Sequence, residues 1–166
     1  REETATGDHR FRILDRQLKT HFSNNIRSNV SFLTKVEPGI TFDRFFEPDQ
    51  FFIQQGRKVF KELLPLICTL VDGQLQQMKI DIKEIKRMWL HQANINMNHF
   101  VARHLLGRDA EFDEAPVVLD EYANTASAGS IIAFHKFSQD LAPGDKGIIC
   151  SFGAGYSIGS LIIEKI

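Results

Sequence analysis

Between residues 51 and 78 apolar side chains recur at intervals of three and four: Val59, Phe60, Leu63, Leu64, Ile67, Leu70, Val71 and Leu75. That spacing lays one stripe along a helix and predicts helix over 51–78. Pro65 falls inside the run and predicts a kink or a join between two helices. Asp81-Ile82-Lys83-Glu84 has the form of a capping box opening a short helix. Residues 86–90 then read as a brief strand that runs straight into His91. In 95–106, Ile95, Phe100, Val101 and Leu105 share a helical face, and Gly107 is the stop. Residues 117–119 and 147–151 read as strands. Another is expected at 159–164, joined to 147–151 by the glycine-rich turn 152–156. Residues 125–141 begin small and apolar, turn polar, and end at Pro143-Gly144.

The first fifty residues are less periodic. Apolar positions at Phe11, Ile13 and Leu14 precede a polar, basic run, which predicts a strand leading into a loop over 10–22. Residues 23–50 hold the turn signals Asn24-Asn25, Pro38-Gly39 and Pro48-Asp49 alongside Phe32, Phe42, Phe45 and Phe46. So much aromatic surface in a loop points to an insertion. It packs on its own core, on a channel wall or on a partner subunit. Residues 1–50 are thus a strand plus a Phe-rich insertion, and 51–166 the main unit of a single domain. Strand and helix alternate from residue 81 onward, which predicts an α/β layered fold. Residues 1–7 read as linker, as expected of a piece of a larger protein.

Composition narrows the classes. Apolar residues make up 43% and charged residues 25% of the 166, the balance of a soluble globular domain. A formal net charge of −1 leaves no global pull toward nucleic acid or an anionic membrane, so any charged partner must meet a local patch. No apolar run reaches the roughly 18 residues of a membrane span. Cys68 and Cys150 both lie in apolar context, which favours a reducing cytoplasm over a disulfide scaffold. Neither has the charged neighbour or helix N-terminus that activates a thiolate.

Three polar features each follow the end of a predicted strand: His91, Asn124 and the Gly153-Ala154-Gly155 turn. In open α/β sheets, ligand crevices form beyond the carboxyl ends of strands. A neutral imidazole and an asparagine amide there can hold an oxygen that becomes negative during reaction. A backbone N–H in a tight glycine turn can hold a second. Each feature also has a structural reading: a satisfied histidine, a helix N-cap at Asn124, and an ordinary hairpin turn.

His91-Gln92-Ala93-Asn94, then Asn124-Thr125-Ala126-Ser127-Ala128-Gly129-Ser130, then Phe152 through Ser160, occur in that order before a final strand. This set resembles the C-terminal half of the β-ketoacyl-acyl-carrier-protein synthase III family, over about 51–166. The resemblance implies half of a thiolase fold: a mixed five-stranded sheet packed by helices, one half of an αβαβα sandwich. It implies an acyltransferase of fatty acid or related biosynthesis that joins an acyl-coenzyme A starter to malonyl-acyl carrier protein with loss of carbon dioxide. His91 and Asn124 match the family's catalytic His and Asn, which hold the malonyl thioester oxygen as the enolate forms. Ala154 takes the place of a glycine whose backbone N–H joins the oxyanion hole of acylation. Asn94, Phe152, Gly56 and Phe60 match positions along the coenzyme A or pantetheine arm. Lys61 and Arg103 match positions that dock the acidic carrier protein, although Asn96 and His104 replace basic residues common in the family.

Coenzyme A and phosphopantetheine thioesters would be substrates, with no cofactor or metal. The other implied partners are the N-terminal half of the enzyme and, at full length, a second copy in a homodimer; the compartment implied is the cytoplasm. The family's nucleophilic cysteine lies in the N-terminal half, so the chain alone is expected to be inactive. Cys150 stands one residue too early for the second cysteine of degradative thiolases. Hydroxymethylglutaryl-coenzyme A or polyketide synthesis, and a non-catalytic acyl-binding or assembly half-domain, are the competing readings.

Overall fold

The computed structural model describes residues 9–28 and 52–166. The linker at 1–7 and the phenylalanines at 32, 42, 45 and 46 lie outside them. Four strands pair in one mixed sheet, in the order β1-β6-β5-β4. They are β1 (Phe11–Ser23), β4 (Ile85–Leu90), β5 (Lys146–Gly153) and β6 (Gly155–Lys165). β4 and β5 run parallel, while β5–β6 and β1–β6 are antiparallel. Among the described residues the sheet therefore has four strands where five were expected. β2 (Ile26–Ser28) and β3 (Phe52–Gln54) form a separate two-stranded ribbon.

Helices cover both faces. α1 (Gly56–Met78) and α2 (Ile95–Leu106) share a core with Met88, Leu90, Ile148, Cys150, Ile158 and Ile162. The opposite face carries α4 (Ala128–Lys136), packed through Ala133 beside Trp89 and Ile163. Burial on both faces explains the unalternating apolar run Met88-Trp89-Leu90 that ends β4. Arg87 is buried, and its guanidinium donates to both carboxylate oxygens of Asp140, at 2.6 and 2.9 Å, and to the Phe137 carbonyl at 2.8 Å. The Trp89 indole N–H donates to the same carbonyl at 3.0 Å. Arg87 and Trp89 thus moor the end of α4 to β4.

Several expectations need correction. The strand at 10–22 does not give way to a loop, because β1 pairs with β6 from Phe11 as far as Ser23, with irregularities only between Ile13 and Asp15 and between Thr20 and Ser23. Its polar character reflects its position at the edge of the sheet, where most of its side chains meet solvent. Helix does not begin at 51: Phe52–Gln54 pairs with Ile26–Ser28, and the Gln55 amide donates to the Asn25 carbonyl at 2.8 Å. α1 then runs unbroken through Pro65, which sits on the exposed side where the freed carbonyl can meet water. Residues 117–119 form no strand. The Val118 amide donates to the Gln92 side chain instead, and Leu119–Tyr122 turns into the short helix α3. On α2 the buried stripe is Met97, Val101, Ala102 and Leu105, while Ile95 and Phe100 face outward, 45% and 41% exposed.

Other local signals hold. Asp81 accepts from the Lys83 amide at 2.9 Å and Glu84 from the Asp81 amide at 3.0 Å, completing the capping box of a single 3₁₀ turn. Gly107 ends α2 at φ 71°. The β5–β6 pairing reaches Gly153 and Ser157, so the expected turn at 152–156 is mostly strand, folded back through Ala154.

Gly147 has no room for a side chain, since a Cβ there would lie 2.7 Å from Trp89 Cη2. Gly147→Ala is expected to destabilise the full-length protein by roughly 1–3 kcal/mol through overpacking. Urea unfolding measures it, with an unchanged midpoint as the contrary result.

Candidate active site

A cleft of about 490 Å³ opens where β4 and β5 end. His91, Asn124, Phe152 and Ala154 all line it, together with Met97 and Ser151. Residues about sixty positions apart in sequence meet because the parallel register sets Leu90 beside Cys150. The next residues along each strand, His91 and then Ser151 and Phe152, emerge side by side at the sheet's end. The His91 and Phe152 rings lie 4.4 Å apart between centroids, tilted by 49°.

His91 is 6% exposed, and its Nδ1 has no hydrogen-bond partner among the described residues. Burial drives its pKa below the ordinary histidine value, because the cation loses its hydration and gains no counter-charge. The imidazole is therefore neutral at pH 7 and can offer one N–H as a donor.

Asn124 lies between α3 and α4. Its Oδ1 accepts from the Ala126 amide at 3.0 Å, which leaves the amide N–H₂ as the group free to act on a ligand in the cleft. Ser127, not Asn124, occupies the N-cap of α4. Ala123 and Ala126 take positive φ, 53° and 54°, on either side of Asn124-Thr125. Two non-glycine residues in that region cost of order 1–3 kcal/mol each, and such strain concentrates at functional loops. Lys136 braces the segment from α4 by donating to Glu121 at 2.7 Å and lying 5.2 Å over the Tyr122 ring.

Gln92 was not singled out by sequence reasoning, yet it is fully buried and holds the site together. Its Nε2 donates to the carbonyls of Leu90 at 2.9 Å and Pro116 at 3.4 Å, while its Oε1 accepts from Val118 at 3.0 Å. α4 passes so close that a Cβ on Gly129 would fall 2.6 Å from the Gln92 Cβ. The available signal was a lone amide between an apolar strand and a polar turn, a place where a buried polar group needs partners.

The remaining expected residues stand elsewhere. Asn94 caps α2, its Oδ1 accepting from the Asn96 amide at 2.8 Å, and it is absent from the cleft lining. Gly56 is the first residue of α1, and Lys61 lies exposed on the same helix. Phe60 and Arg103 share a second depression on the outer surface of α1 and α2, with Asn96, His99, Phe100 and His104. Arg103 is paired with Asp109 at 2.6 Å and His104 with Asp72 at 2.8 Å. The cleft also borrows Leu18, Ile26 and Phe52 from β1 and the ribbon, residues that no motif marked.

Both thiols are poor nucleophiles. Burial pushes Cys68 up to about 11 and Cys150 up to about 12, so neither holds appreciable thiolate at neutral pH.

The solved structure of 3-oxoacyl-[acyl-carrier-protein] synthase III from Aquifex aeolicus VF5 superposes with a TM-score of 0.74 at 17% identity, covering 96% of this chain and 46% of that one. The sheet with its two helical faces is therefore part of a thiolase-fold protein. Residues 75–165 match the family described as 3-oxoacyl-[acyl-carrier-protein] synthase III C terminal, and the chain belongs to that family. It is 52% identical over 166 residues to the β-ketodecanoyl-[acyl-carrier-protein] synthase of Pseudomonas aeruginosa PAO1, covering 99% of this chain and 46% of that protein. It is 30% identical over 136 residues to the β-ketoacyl-[acyl-carrier-protein] synthase III of Thioalkalivibrio sulfidiphilus, covering 80% of this chain and 41% of that protein. The chain thus spans just under half the length of these relatives.

The buried neutral His91 has a stability signature. Its folded pKa is depressed, so the unfolded chain binds the proton more readily. The stabilisation is complete above the ordinary value of 6.5 and is lost as pH falls through the folded value. The thermal midpoint of the full-length protein should decline more steeply below pH 6.5 than that of His91→Gln; parallel curves would show that His91 is not buried neutral.

Proposed function

We propose that this chain is the C-terminal half of a decarboxylating condensing enzyme that joins an acyl-coenzyme A starter to malonyl-acyl carrier protein. The observation that carries the reading is the convergence of His91, Asn124, Phe152 and Ala154 on one cleft, in a member of the synthase III family. Two neutral N–H donors beside an apolar wall suit a developing oxyanion, because they stabilise negative charge without a cation to be neutralised.

The reaction runs in two halves. In the first, a cysteine thiolate outside this chain attacks the acyl thioester and coenzyme A leaves, the oxyanion being held by backbone N–H groups that include Ala154. In the second, His91 and Asn124 donate to the malonyl thioester oxygen. The carbon–carbon bond to the carboxylate breaks, carbon dioxide leaves, and the electron pair is held as an enolate. The enolate carbon attacks the acyl-cysteine and expels the thiolate. The raised pKa values of Cys68 and Cys150 support placing the nucleophile elsewhere and support inactivity of this chain on its own. Phe152 is assigned to the pantetheine arm within the cleft, Asn94, Gly56 and Phe60 to its course outside the cleft, and Lys61 and Arg103 to carrier docking. The Arg103–Asp109 pair must open for that contact, a small cost for an exposed ion pair.

The Pseudomonas aeruginosa relative is named for a β-ketodecanoyl product. Because condensation adds two carbons, that likeness points to an octanoyl starter, and the apolar Leu18, Ile26 and Phe52 offer it a wall.

On the full-length protein, His91→Ala and Asn124→Ala are each expected to slow condensation roughly 10²–10³-fold, the usual cost of one oxyanion donor. Radiolabelled acyl transfer to the enzyme should survive in both. Wild-type condensation in either variant would remove that residue from the site. The acid limb of condensation is expected below the ordinary histidine value of 6.5, since only the neutral imidazole acts as the donor described.

A further inference from the structure

Three walls of the cleft meet at one carboxylate that the reaction does not use. The Asn25 side-chain N–H₂ donates to Glu62 Oε2 at 2.7 Å and to the Tyr156 hydroxyl at 2.9 Å. The Tyr156 hydroxyl in turn donates to the same Glu62 oxygen at 3.0 Å. Each residue belongs to a different wall. Tyr156 is wholly buried and lies in the hairpin whose Gly153, Ala154 and Ser157 line the cleft. Asn25 immediately precedes the lining residue Ile26, and its carbonyl accepts from Gln55, next to the lining residue Gln54. Glu62 stands one turn along α1 from the lining residue Val59.

We infer that Tyr156, Glu62 and Asn25 form a positioning network that sets the hairpin bearing the Ala154 N–H against the ribbon wall of the cleft. The inference rests on the oxyanion role proposed for Ala154. A phenylalanine at 156 would fill the same apolar space, so the hydroxyl contributes direction rather than bulk. Glu62 sits on the exposed side of α1, where the fold makes no demand for a carboxylate. The carboxylate gathers two donors from separate segments, and charge-assisted bonds of this kind are short and directional. Freed of it, the hairpin tip can shift, and small misplacements of an oxyanion donor are costly in rate. His91 and Asn124 are held by other contacts, around Gln92 and Lys136. The network therefore acts on acylation more than on condensation.

The test uses the full-length protein with Tyr156→Phe, Glu62→Ala and Glu62→Gln, read by acylation rate, condensation from pre-acylated enzyme, and amide hydrogen exchange over residues 153–157. Tyr156→Phe and Glu62→Ala are each expected to slow acylation about tenfold, the scale of a modest loss of alignment. Hydrogen exchange over 153–157 should quicken while condensation stays within about twofold, because a positioning loss is confined to the half-reaction it serves. Glu62→Gln keeps an acceptor oxygen in place and should restore most of the acylation rate. Should Tyr156→Phe fail to fold, the two Glu62 variants carry the comparison. Wild-type acylation and exchange in Glu62→Ala would overturn the inference. So would parallel loss of both half-reactions together with a fall in thermal midpoint, which marks a purely structural role. If the wild-type enzyme catalyses neither half-reaction, the functional reading fails by itself. The exchange measurement then still decides whether the network holds the hairpin.

Discussion

One buried amide governs the geometry of the cleft. Gln92 commits its donor and acceptor to three bonds that join two segments, the end of β4 and the stretch from the Pro116 carbonyl to the Val118 amide. Removing one partner from a buried hydrogen bond costs about 1–3 kcal/mol, so this side chain cannot drift. Its neighbour His91 leaves that anchored backbone and lays its ring against Phe152. The same bonds set the course of the chain from residue 116 toward Asn124. Gly129 then lets α4 pass against Gln92 with no side chain between them. Histidine and asparagine are thus brought to one cleft by a residue that neither lines the cleft nor meets solvent.

The electrostatics of the site follow from exclusion of water rather than from charge. Desolvation alone keeps His91 neutral, and the same effect silences Cys68 and Cys150. What remains is a set of neutral donors facing an apolar wall. Charge is used instead as structural glue. Arg87 and Asp140 fasten α4 to the sheet, Lys136 and Glu121 brace the strained loop around Asn124, and Glu62 gathers Asn25 and Tyr156.

His91 and the 153–155 turn were legible in the sequence because strand ends in an α/β fold point at a common edge, and polar residues there stand out against the apolar runs that precede them. Asn124 reaches the same cleft from the end of α3, not from the strand expected at 117–119. Gln92 was not legible, since a buried amide differs from a solvated one only in what surrounds it. Nor were Leu18, Ile26 and Phe52, which come from a polar edge strand and a ribbon with no motif of their own. Tyr156, Glu62 and Asn25 are separated by up to 131 positions, and nothing local to any of them announces the others.

Local chemistry carried the elements that local chemistry controls. Three- and four-residue spacing marked α1 and α2, Gly107 ended α2, and the Asp81–Glu84 box opened its turn, all through bonds made within a few residues. Elements whose hydrogen bonds are made at a distance went otherwise. Residues 15–23 became strand because β6 supplied a partner, 52–54 left the helix because Ile26–Ser28 paired with them, and 117–119 lost their strand to a glutamine side chain. A backbone amide takes the partner that folding brings within 3 Å or so of it, and sequence reveals that partner only when it lies nearby along the chain. The sequence alone thus determined which residues could do chemistry. The tertiary structure decided which of them share a cleft, and what holds them there.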